Sequence, residues 1–368
     1  MRRAIAALTG PGSRGEVSTA SQGTVLSPAV LSAGRHPVQQ ALRLLLSVHL
    51  TLTWLKYARA ALRTARTSHA DVVVAHDLDT LPVAARAAGR SGARLVYDSH
   101  ELFLEQATEP PRSTLTRRLQ RAFERRLIRR ADQVITVNRS IAAELAGRYG
   151  IARPAVVRNL PAWAQGHEAP VDLRKQLGLP GHMPIAIYVG GLSSGRGLEQ
   201  LAASAGELPG VAIVFLGPAS PEFSERLHGI AAATGASERV KLLSPVPARE
   251  VTRWAAGADV GVVPYRNTCM NNYLSLPNKL FEYLAAGLPV VASNFPELRR
   301  VVTEHGIGDT CDPDDPSDIA RAVRGVVSNP RRLEQLGSAA TRAAAELTWD
   351  REKMVFLQVF DEIAHEPA

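Results

Sequence analysis

The chain has 368 residues, of which 45% are hydrophobic and 21% charged, and its formal net charge is +8 at pH 7. That length is too great for one compact core, so two domains are expected, and the composition is globular, which excludes a largely disordered chain. The chain has two cysteines, Cys269 and Cys311, which excludes a disulfide framework and agrees with a reducing cytoplasm.

Residues 1–40 are atypical of an α/β domain. They are rich in Gly, Ser, Thr and Pro and contain no convincing buried strand, so we expect this segment to be truncated or disordered. Arg2 and Arg3 are followed by polar residues instead of a continuous apolar core, which argues against a secretory signal. The apolar run over 42–55 is interrupted by charged residues and is shorter than a membrane span, so no integral membrane segment is predicted.

From residue 71 onward, strand patterns alternate with helical ones. Strand patterns cover 71–76, 94–100, 133–138 and 155–160, and helical patterns cover 81–89, 113–130 and 141–149. This alternation predicts a parallel α/β sheet. The loose stretch over 161–184, which contains Pro, Gly and His, is the expected linker.

Positive charge is concentrated in the helical pattern over 112–130. The arginines there are Arg112, Arg117, Arg118, Arg121, Arg125, Arg126, Arg129 and Arg130, and the apolar stripe predicted beside them is Leu115, Leu119, Phe123, Leu127 and Ile128. Such a helix fits a solvated surface, contact with an anionic membrane surface, or nucleic-acid binding. Nucleic acid is the weakest of the three, because no helix-turn-helix spacing, zinc-ligand set or aromatic-interleaved basic patch accompanies the charge.

Polar residues follow two neighbouring predicted strands, at His76-Asp77-Leu78-Asp79 and at Asp98-Ser99-His100. The carboxyl ends of parallel strands form the edge where ligands bind, so His100 is a candidate site residue. A lone histidine is equally often a structural one. Asp79 or Thr80 is expected to cap the helix that contains Pro82.

The second half of the chain repeats the alternation. Strand patterns cover 185–189, 211–216, 240–243, 259–264 and 290–292, with helical patterns between them. Two sheets in one chain imply a cleft between two domains.

A Gly-rich turn lies between a strand and a helix start in the segment 187–198. Gly190 and Gly191 allow close backbone approach by a diphosphate, and Arg196 lies just before the helix. A Gly-rich turn alone is weak evidence, and a tight turn with an exposed arginine explains the same residues.

The segment 277–293 is the most informative of the chain. Pro277 suits the first turn of a helix and Gly287 its left-handed end, with an apolar strand before and after. Lys279 and Glu282 share one face near the helix start, where Lys279 is placed to hold a phosphate and Glu282 to accept ribose hydroxyls. The spacing also fits an exposed salt bridge between the two.

These motifs together resemble the retaining glycosyltransferases of family four (glycosyl transferases group 1), which have the α/β GT-B fold of two Rossmann-like domains facing across a cleft. The resemblance implies that Glu282 binds the donor ribose, that Lys279 and Arg196 lie at the donor diphosphate, and that His100 faces the donor sugar and acceptor. The donor-binding set it implies is Gly190, Gly191, Arg196, Asn278, Lys279, Leu280 and Glu282, and the catalytic set is His100, Arg196 and Lys279.

The chain departs from the family pattern at three places. Gly191 stands where an arginine is usual, and Leu274 stands where the first acid of the family's E-x7-E pair is usual, so Asn271, Asn272 or backbone amides would have to substitute. The usual first strand and Gly-rich loop are not recognisable, and the amino-terminal domain therefore looks shortened.

Asp77-Leu78-Asp79 mimics the metal motif of the GT-A fold, but its helix-cap role explains it, so no metal site is predicted.

The resemblance implies a metal-independent hexosyltransferase that moves a sugar from a nucleoside diphosphate sugar to an acceptor hydroxyl with retention, without a further cofactor. The acceptor would be a glycan, a lipid-linked or a small molecule, in polysaccharide or natural-product biosynthesis. The location would be cytoplasmic, with peripheral contact at the inner membrane surface through the 112–130 helix and no nucleic-acid partner. A nucleotide-sugar epimerase of GT-B fold and a catalytically degenerate partner protein remain open alternatives.

The predicted domains are 1–165 on the acceptor side and 183–349 on the nucleotide-sugar side. Residues 350–368 resemble the helix that crosses back to the first domain in GT-B enzymes.

Overall fold

The structure is a computed structural model that describes residues 6–8, 37–108, 113–160 and 169–365. The strands are β1 (Ala6–Leu8), β2 (Val72–His76), β3 (Arg94–Ser99), β4 (Gln133–Thr136), β5 (Ala155–Val156), β6 (Ile185–Val189), β7 (Ala212–Leu216), β8 (Val240–Leu243), β9 (Val260–Val263), β10 (Val290–Ser293) and β11 (Gly308–Cys311). The α-helices are α1 (Pro37–Ser68), α2 (Asp77–Ser91), α3 (Thr114–Ile128), α4 (Arg139–Tyr149), α5 (Leu173–Leu177), α6 (Leu198–Ser204), α7 (Pro221–Ala233), α8 (Val251–Ala255), α9 (Met270–Leu274), α10 (Asn278–Ala285), α11 (Pro296–His305), α12 (Pro316–Val327), α13 (Pro330–Glu346) and α14 (Trp349–His365).

The described residues form two compact units. Unit 1 takes its members from 1–100 and 118–135, and unit 2 takes its members from 101–117 and 136–368. The boundaries between these units do not coincide with the linker expected at 161–184. The predicted domain limits therefore stay predictions.

The sheet strands of unit 1 have the order β1-β2-β3-β4, and β1, β2 and β3 pair in parallel. No convincing buried strand was predicted in residues 1–40, yet Ala6–Leu8 forms the short strand β1, which pairs in parallel with β2. The three residues are too few for a recognisable apolar run. The expectation of truncation or disorder for residues 9–36 falls outside the described residues.

The first helix after β2 begins earlier than predicted. It starts at Asp77, directly after the strand, and Asp77 adopts the left-handed conformation with φ of 60°. Thr80 Oγ1 donates to the carbonyl of His76 at 2.7 Å, so neither Thr80 nor Asp79 is the N-cap that the sequence predicted. A non-glycine residue in the left-handed conformation costs free energy, and strained backbone of this kind is typical of functional sites. The conformation of Asp77 therefore indicates a functional site at the carboxyl edge of the sheet.

The predicted apolar run over 42–55 lies inside α1, a helix that the sequence did not predict. In the described part of the chain, no helix is long and apolar enough to cross a membrane.

Unit 2 contains a six-stranded parallel sheet in the order β11-β10-β9-β6-β7-β8. Residues of β6 alternate between its two faces, with Ile185 and Ile187 in one apolar cluster and Ala186 and Tyr188 in the other. All four side chains are fully buried, as expected of a central parallel strand covered on both faces. The edge strand β11 was not predicted, because it reads Gly-Asp-Thr-Cys and lacks an apolar run.

The last helix, α14, contacts the segment after β5. Glu352 is only 4% exposed, and its carboxylate accepts from the backbone N–H of Arg158 at 2.7 Å and from Arg158 Nε at 2.9 Å. Truncating Glu352 would leave a half-buried guanidinium and a backbone donor without this acceptor.

Candidate functional site

The ammonium group of Lys279 is held between two tyrosines. Lys279 follows Pro277, the N-cap of α10, and is only 6% exposed. Its Nζ donates to Tyr188 Oη at 2.8 Å and to Tyr265 Oη at 3.1 Å, and it lies 4.1 Å and 4.8 Å from the centres of the two rings. The salt bridge with Glu282 that the spacing also allowed is not formed among the described ion pairs.

Arg196 reaches the same tyrosine from the Gly-rich turn. Its Nη1 donates to Tyr265 Oη at 2.9 Å, and its Nε donates to Ser193 Oγ at 3.2 Å. Burial raises the pKa of the Tyr265 hydroxyl, but the charges of Lys279 and Arg196 outweigh it and hold that pKa below its ordinary value. Two cations therefore meet at one neutral hydroxyl, which makes this edge of the sheet electropositive.

The backbone of the Gly-rich turn lies close to these cations. At Gly190, with φ of 116°, an added Cβ would lie 3.3 Å from Lys279 Nζ. At Gly197, with φ of 70°, it would lie 1.8 Å from the carbonyl oxygen of Pro264, so only glycine fits. An added Cβ at Gly191 would meet nothing within 4 Å, so the place of the family's usual arginine is open space.

Glu282 lies one helical turn after Lys279 and is half-buried. Burial raises the pKa of its carboxyl, and the charge of Lys279 only partly offsets this rise. No hydrogen-bond donor to this carboxylate is found among the described side chains. A half-buried acid of this kind is suited to accept hydrogen bonds from a ligand.

The position of α10 is fixed by Tyr283, which the sequence analysis missed. Its hydroxyl accepts from the backbone N–H of Val189 at 3.0 Å and lies 3.2 Å from the carbonyl oxygen of Ile187. The ring fills the space over Gly261, where an added Cβ would lie 2.3 Å from it. Tyr283 thus joins the helix of Lys279 to the end of β6 where the Gly-rich turn begins.

The remaining predicted donor residues take different positions. Asn278 is exposed at the start of α10, whereas Leu280 is fully buried in the apolar core and its backbone N–H donates to Pro277. Leu274, at the position of the missing acid, is 8% exposed, and its carbonyl accepts from Asn138 Nδ2 at 2.9 Å.

The two asparagines proposed to replace that acid already contact protein groups. Asn271 Oδ1 accepts from the backbone N–H of Leu102 at 2.9 Å, and its Nδ2 donates to Glu101 at 3.1 Å. Asn272 Nδ2 donates to Thr268 Oγ1 at 2.8 Å.

His100 lies in unit 1 and is not a lone histidine. Its Nε2 is 3.1 Å from Asp98 Oδ2 and 3.2 Å from His76 Nδ1, and His76 Nδ1 is 3.2 Å from Asp98 Oδ2. Burial raises the pKa of Asp98, but hydrogen bonds from His100 and His76 outweigh it and lower that pKa to about 2. Neither His76 nor Asp98 was predicted as a site residue.

The signal that could have revealed the group is positional. His76 ends β2, and Asp98 lies directly opposite it in β3. His100 lies two residues after Asp98 and so on the same side of the strand.

The fold is that of the GT-B glycosyltransferases, as predicted. The structure matches sucrose-phosphate synthase from Thermosynechococcus elongatus with a TM-score of 0.71 at 20% identity, over 85% of this chain and 79% of that one. It also matches HepE from Anabaena, solved in complex with UDP, with a TM-score of 0.67 at 19% identity over 82% of each chain.

Comparison of sequences identifies the family. Residues 172–343 match the family described as glycosyl transferases group 1, and residues 12–160 match Glycosyltransferase Family 4. Together the two matches cover most of the chain and confirm the resemblance to these glycosyltransferases seen in the sequence. The match from residue 12 also shows that family likeness begins well before residue 71, where the motifs become recognisable.

A curated relative is D-inositol 3-phosphate glycosyltransferase from Xylanimonas cellulosilytica, 28% identical over 249 residues, which are 64% of this chain and 58% of the relative. The chain thus spans little more than half the length of this relative.

Proposed function

We propose that this chain transfers a sugar from a nucleoside diphosphate sugar to an acceptor hydroxyl, with retention of configuration at the sugar. The observation that carries the proposal is the buried ammonium group of Lys279, which has neutral partners and lies beside a second cation, Arg196. The match to the glycosyl transferases group 1 family supports it.

The electrostatics favour a diphosphate as the ligand. An ammonium group withdrawn from water without an acidic partner is costly, and two tyrosine hydroxyls and ring faces offset only part of that cost. A diphosphate beside Lys279 and Arg196 would supply the missing negative charge. The glycine backbone at Gly190 leaves room for the phosphates to approach.

The same ligand explains Glu282. A ribose bound one helical turn from the phosphate site would donate its hydroxyls to the half-buried carboxylate and stabilise its ionised form. UDP is the first donor nucleotide to test, because HepE, which shares the fold, was solved with UDP.

Lys279 and Arg196 would act on the leaving group. Negative charge grows on the diphosphate as its bond to the sugar breaks, and fixed cations at that position stabilise the transition state more than the ground state. In the mechanism that the family implies, no nucleophilic side chain of the protein is required, and no metal ion is needed at the diphosphate. His100 would orient the sugar or polarise the acceptor.

The test is isothermal titration of the purified chain with UDP, GDP, dTDP and ADP. We expect micromolar binding of one nucleotide, lost in Lys279→Ala and Glu282→Ala and unchanged in Lys175→Ala, which removes an exposed lysine on α5. Absence of binding by the folded protein would favour the degenerate partner protein instead.

Turnover separates the remaining alternatives. A transferase consumes the bound nucleotide sugar only with an acceptor, whereas an epimerase converts it without one. The acceptor panel starts with D-inositol 3-phosphate, the substrate in the name of the Xylanimonas relative, and continues with glycan and lipid-linked acceptors.

We further infer peripheral contact with an anionic membrane through α3. The predicted apolar stripe divides in the structure: Leu127 and Ile128 are buried, whereas Leu115, Leu119 and Phe123 are 67%, 62% and 47% exposed. The three exposed side chains are spaced by four residues and so share one helix face, on a helix rich in arginine. Exposed apolar residues beside cations are suited to the surface of an anionic bilayer.

Sedimentation with vesicles tests this contact. Binding to phosphatidylglycerol-containing vesicles should exceed binding to phosphatidylcholine vesicles and should fall in Leu119→Glu. Met354→Glu, a matched change at an exposed apolar residue of α14, should bind as the native chain does. Equal binding of both variants would refute contact through α3.

A further inference from the structure

We propose that His76, Asp98 and His100 form a binding site for one divalent transition-metal ion of the zinc class, at the carboxyl edge of the strands of unit 1. All three residues belong to unit 1, and the proposal does not depend on the proposed transfer reaction. No metal site was predicted from the sequence, where Asp77 and Asp79 were the residues with a metal-motif spacing.

The three ligand atoms form a nearly equilateral triangle. His76 Nδ1, His100 Nε2 and Asp98 Oδ2 are separated by 3.1 Å and 3.2 Å. A zinc ion with bonds of about 2.0–2.2 Å to nitrogen and oxygen in tetrahedral geometry separates its ligands by about 3.3–3.5 Å. The triangle is therefore close to one face of such a tetrahedron without rearrangement of the side chains.

Hydrogen bonds alone do not satisfy this triangle. A neutral imidazole nitrogen is either a donor or an acceptor, and the Asp98 carboxylate only accepts at neutral pH. If both nitrogens carry hydrogen, two donors face each other at 3.2 Å. If either nitrogen lacks hydrogen, its contact with the carboxylate brings two acceptors together. A cation between the three atoms makes every one of these contacts favourable.

The backbone holds the three residues in place. His76 and Asp98 are register partners in the parallel pair β2–β3. Thr80 Oγ1 donates to the carbonyl of His76 at 2.7 Å, and Asp77 Oδ1 accepts from the backbone N–H of His100 at 2.9 Å. The left-handed conformation of Asp77, with φ of 60°, lies between these two anchors. Fixed ligands of this kind reduce the entropy lost when a metal binds.

The ligand types define the class of ion. Two imidazoles and one carboxylate favour zinc and neighbouring transition metals over Mg²⁺ and Ca²⁺, which prefer oxygen ligands. Three protein ligands leave a coordination position for water or a substrate oxygen. The side chain of His100 is 43% exposed, so solvent reaches the site from that side.

Metal titration of the full chain tests the proposal. After treatment with a chelator and dialysis, Zn²⁺ and Co²⁺ should each bind with one equivalent, and Co²⁺ should develop the visible absorption of a four- or five-coordinate complex. His76→Ala, Asp98→Asn and His100→Ala should each weaken Zn²⁺ binding by more than about 100-fold, because loss of a ligand exceeds the effect of losing an outer-shell partner. His228→Ala, at an exposed position on α7, should bind as the native chain does.

Circular dichroism of each variant confirms that it is folded, and His100→Ala is the decisive one because its side chain is the most exposed of the three. Failure to bind one equivalent of Zn²⁺, or binding that survives in a folded His100→Ala variant, would overturn the site.

Discussion

The two side-chain groups at the sheet edges have opposite electrostatic designs. In unit 2, Lys279 and Arg196 converge on the neutral hydroxyl of Tyr265. In unit 1, the carboxylate of Asp98 is flanked by two imidazoles whose nitrogen atoms face each other. An excess of fixed positive charge attracts an anion, whereas a carboxylate with two imidazole nitrogens attracts a cation, which is why we propose two kinds of site at strand ends.

The largest expected effect is at Lys279. Lys279→Met should abolish nucleotide binding, with a loss of more than about 100-fold in affinity, because methionine is also unbranched and flexible but carries no charge. The same change should raise the free energy of unfolding by about 1 kcal/mol or more, since it removes a buried charge whose hydrogen-bond partners are neutral. Titration calorimetry and urea unfolding measure the two effects. Loss of both binding and stability would instead mean that the tyrosines fully satisfy the ammonium.

Glu282→Gln should weaken nucleotide binding by about tenfold, because hydrogen bonds to a charged acceptor are lost. Only the ionised carboxylate accepts both ribose hydroxyls, and burial raises its pKa. As the pH is lowered, the nucleotide affinity of the native chain should therefore begin to fall at a higher pH than it would if Glu282 had the pKa of an exposed glutamate. The loss of affinity caused by protonation of Glu282 should be missing in the Gln variant. Protonation of the nucleotide phosphates affects the native chain and the Gln variant equally. Comparing the pH profiles of the two proteins with the same nucleotide therefore removes this contribution. Parallel pH profiles would contradict the assignment.

Tyr265→Phe should weaken nucleotide binding by about fivefold, because the shared hydroxyl that holds both cations in place is removed. Tyr273→Phe is the matched control, since the Tyr273 ring packs on Phe295 with centroids 5.0 Å apart, outside the cation group. Equal effects of the two changes would show that Tyr265 does not position the cations.

The smallest expected effect is a gain. Gly191→Arg should strengthen diphosphate binding by up to about fivefold, because a third cation would enter space where an added Cβ meets nothing within 4 Å. Gly229→Arg, on the exposed face of α7, adds the same charge in similarly open space and should leave affinity unchanged. An equal gain in both variants would indicate a general effect of net charge.

Much of the fold was predictable because central parallel strands are continuous apolar runs. The strands at Ile185–Val189 and Val240–Leu243 have the predicted limits. What the sequence did not predict lacks that signal: Ala6–Leu8 is too short and Gly308–Cys311 is polar. Both strands lie at the edge of their sheet, where one side needs no neighbouring strand.

The site was predictable only in part. Lys279 and Arg196 could be named because they follow strand ends in recognisable segments. Tyr188 and Tyr265 could not, because a tyrosine in an apolar run looks like core until the position of its hydroxyl is known. His76 and Asp98 required the register between β2 and β3, which is a property of pairing and not of either strand alone.

The buried ammonium of Lys279, whose hydrogen-bond partners are neutral, also has a consequence for evolution. Substitutions that replace the charge at position 279 by an apolar side chain are expected to make the protein more stable. Such substitutions would therefore accumulate by drift in the absence of selection for ligand binding. A chain that had lost its ligand would be expected to exchange this lysine for an apolar residue. We therefore expect this lysine to be kept only in relatives that keep the anionic ligand proposed for it.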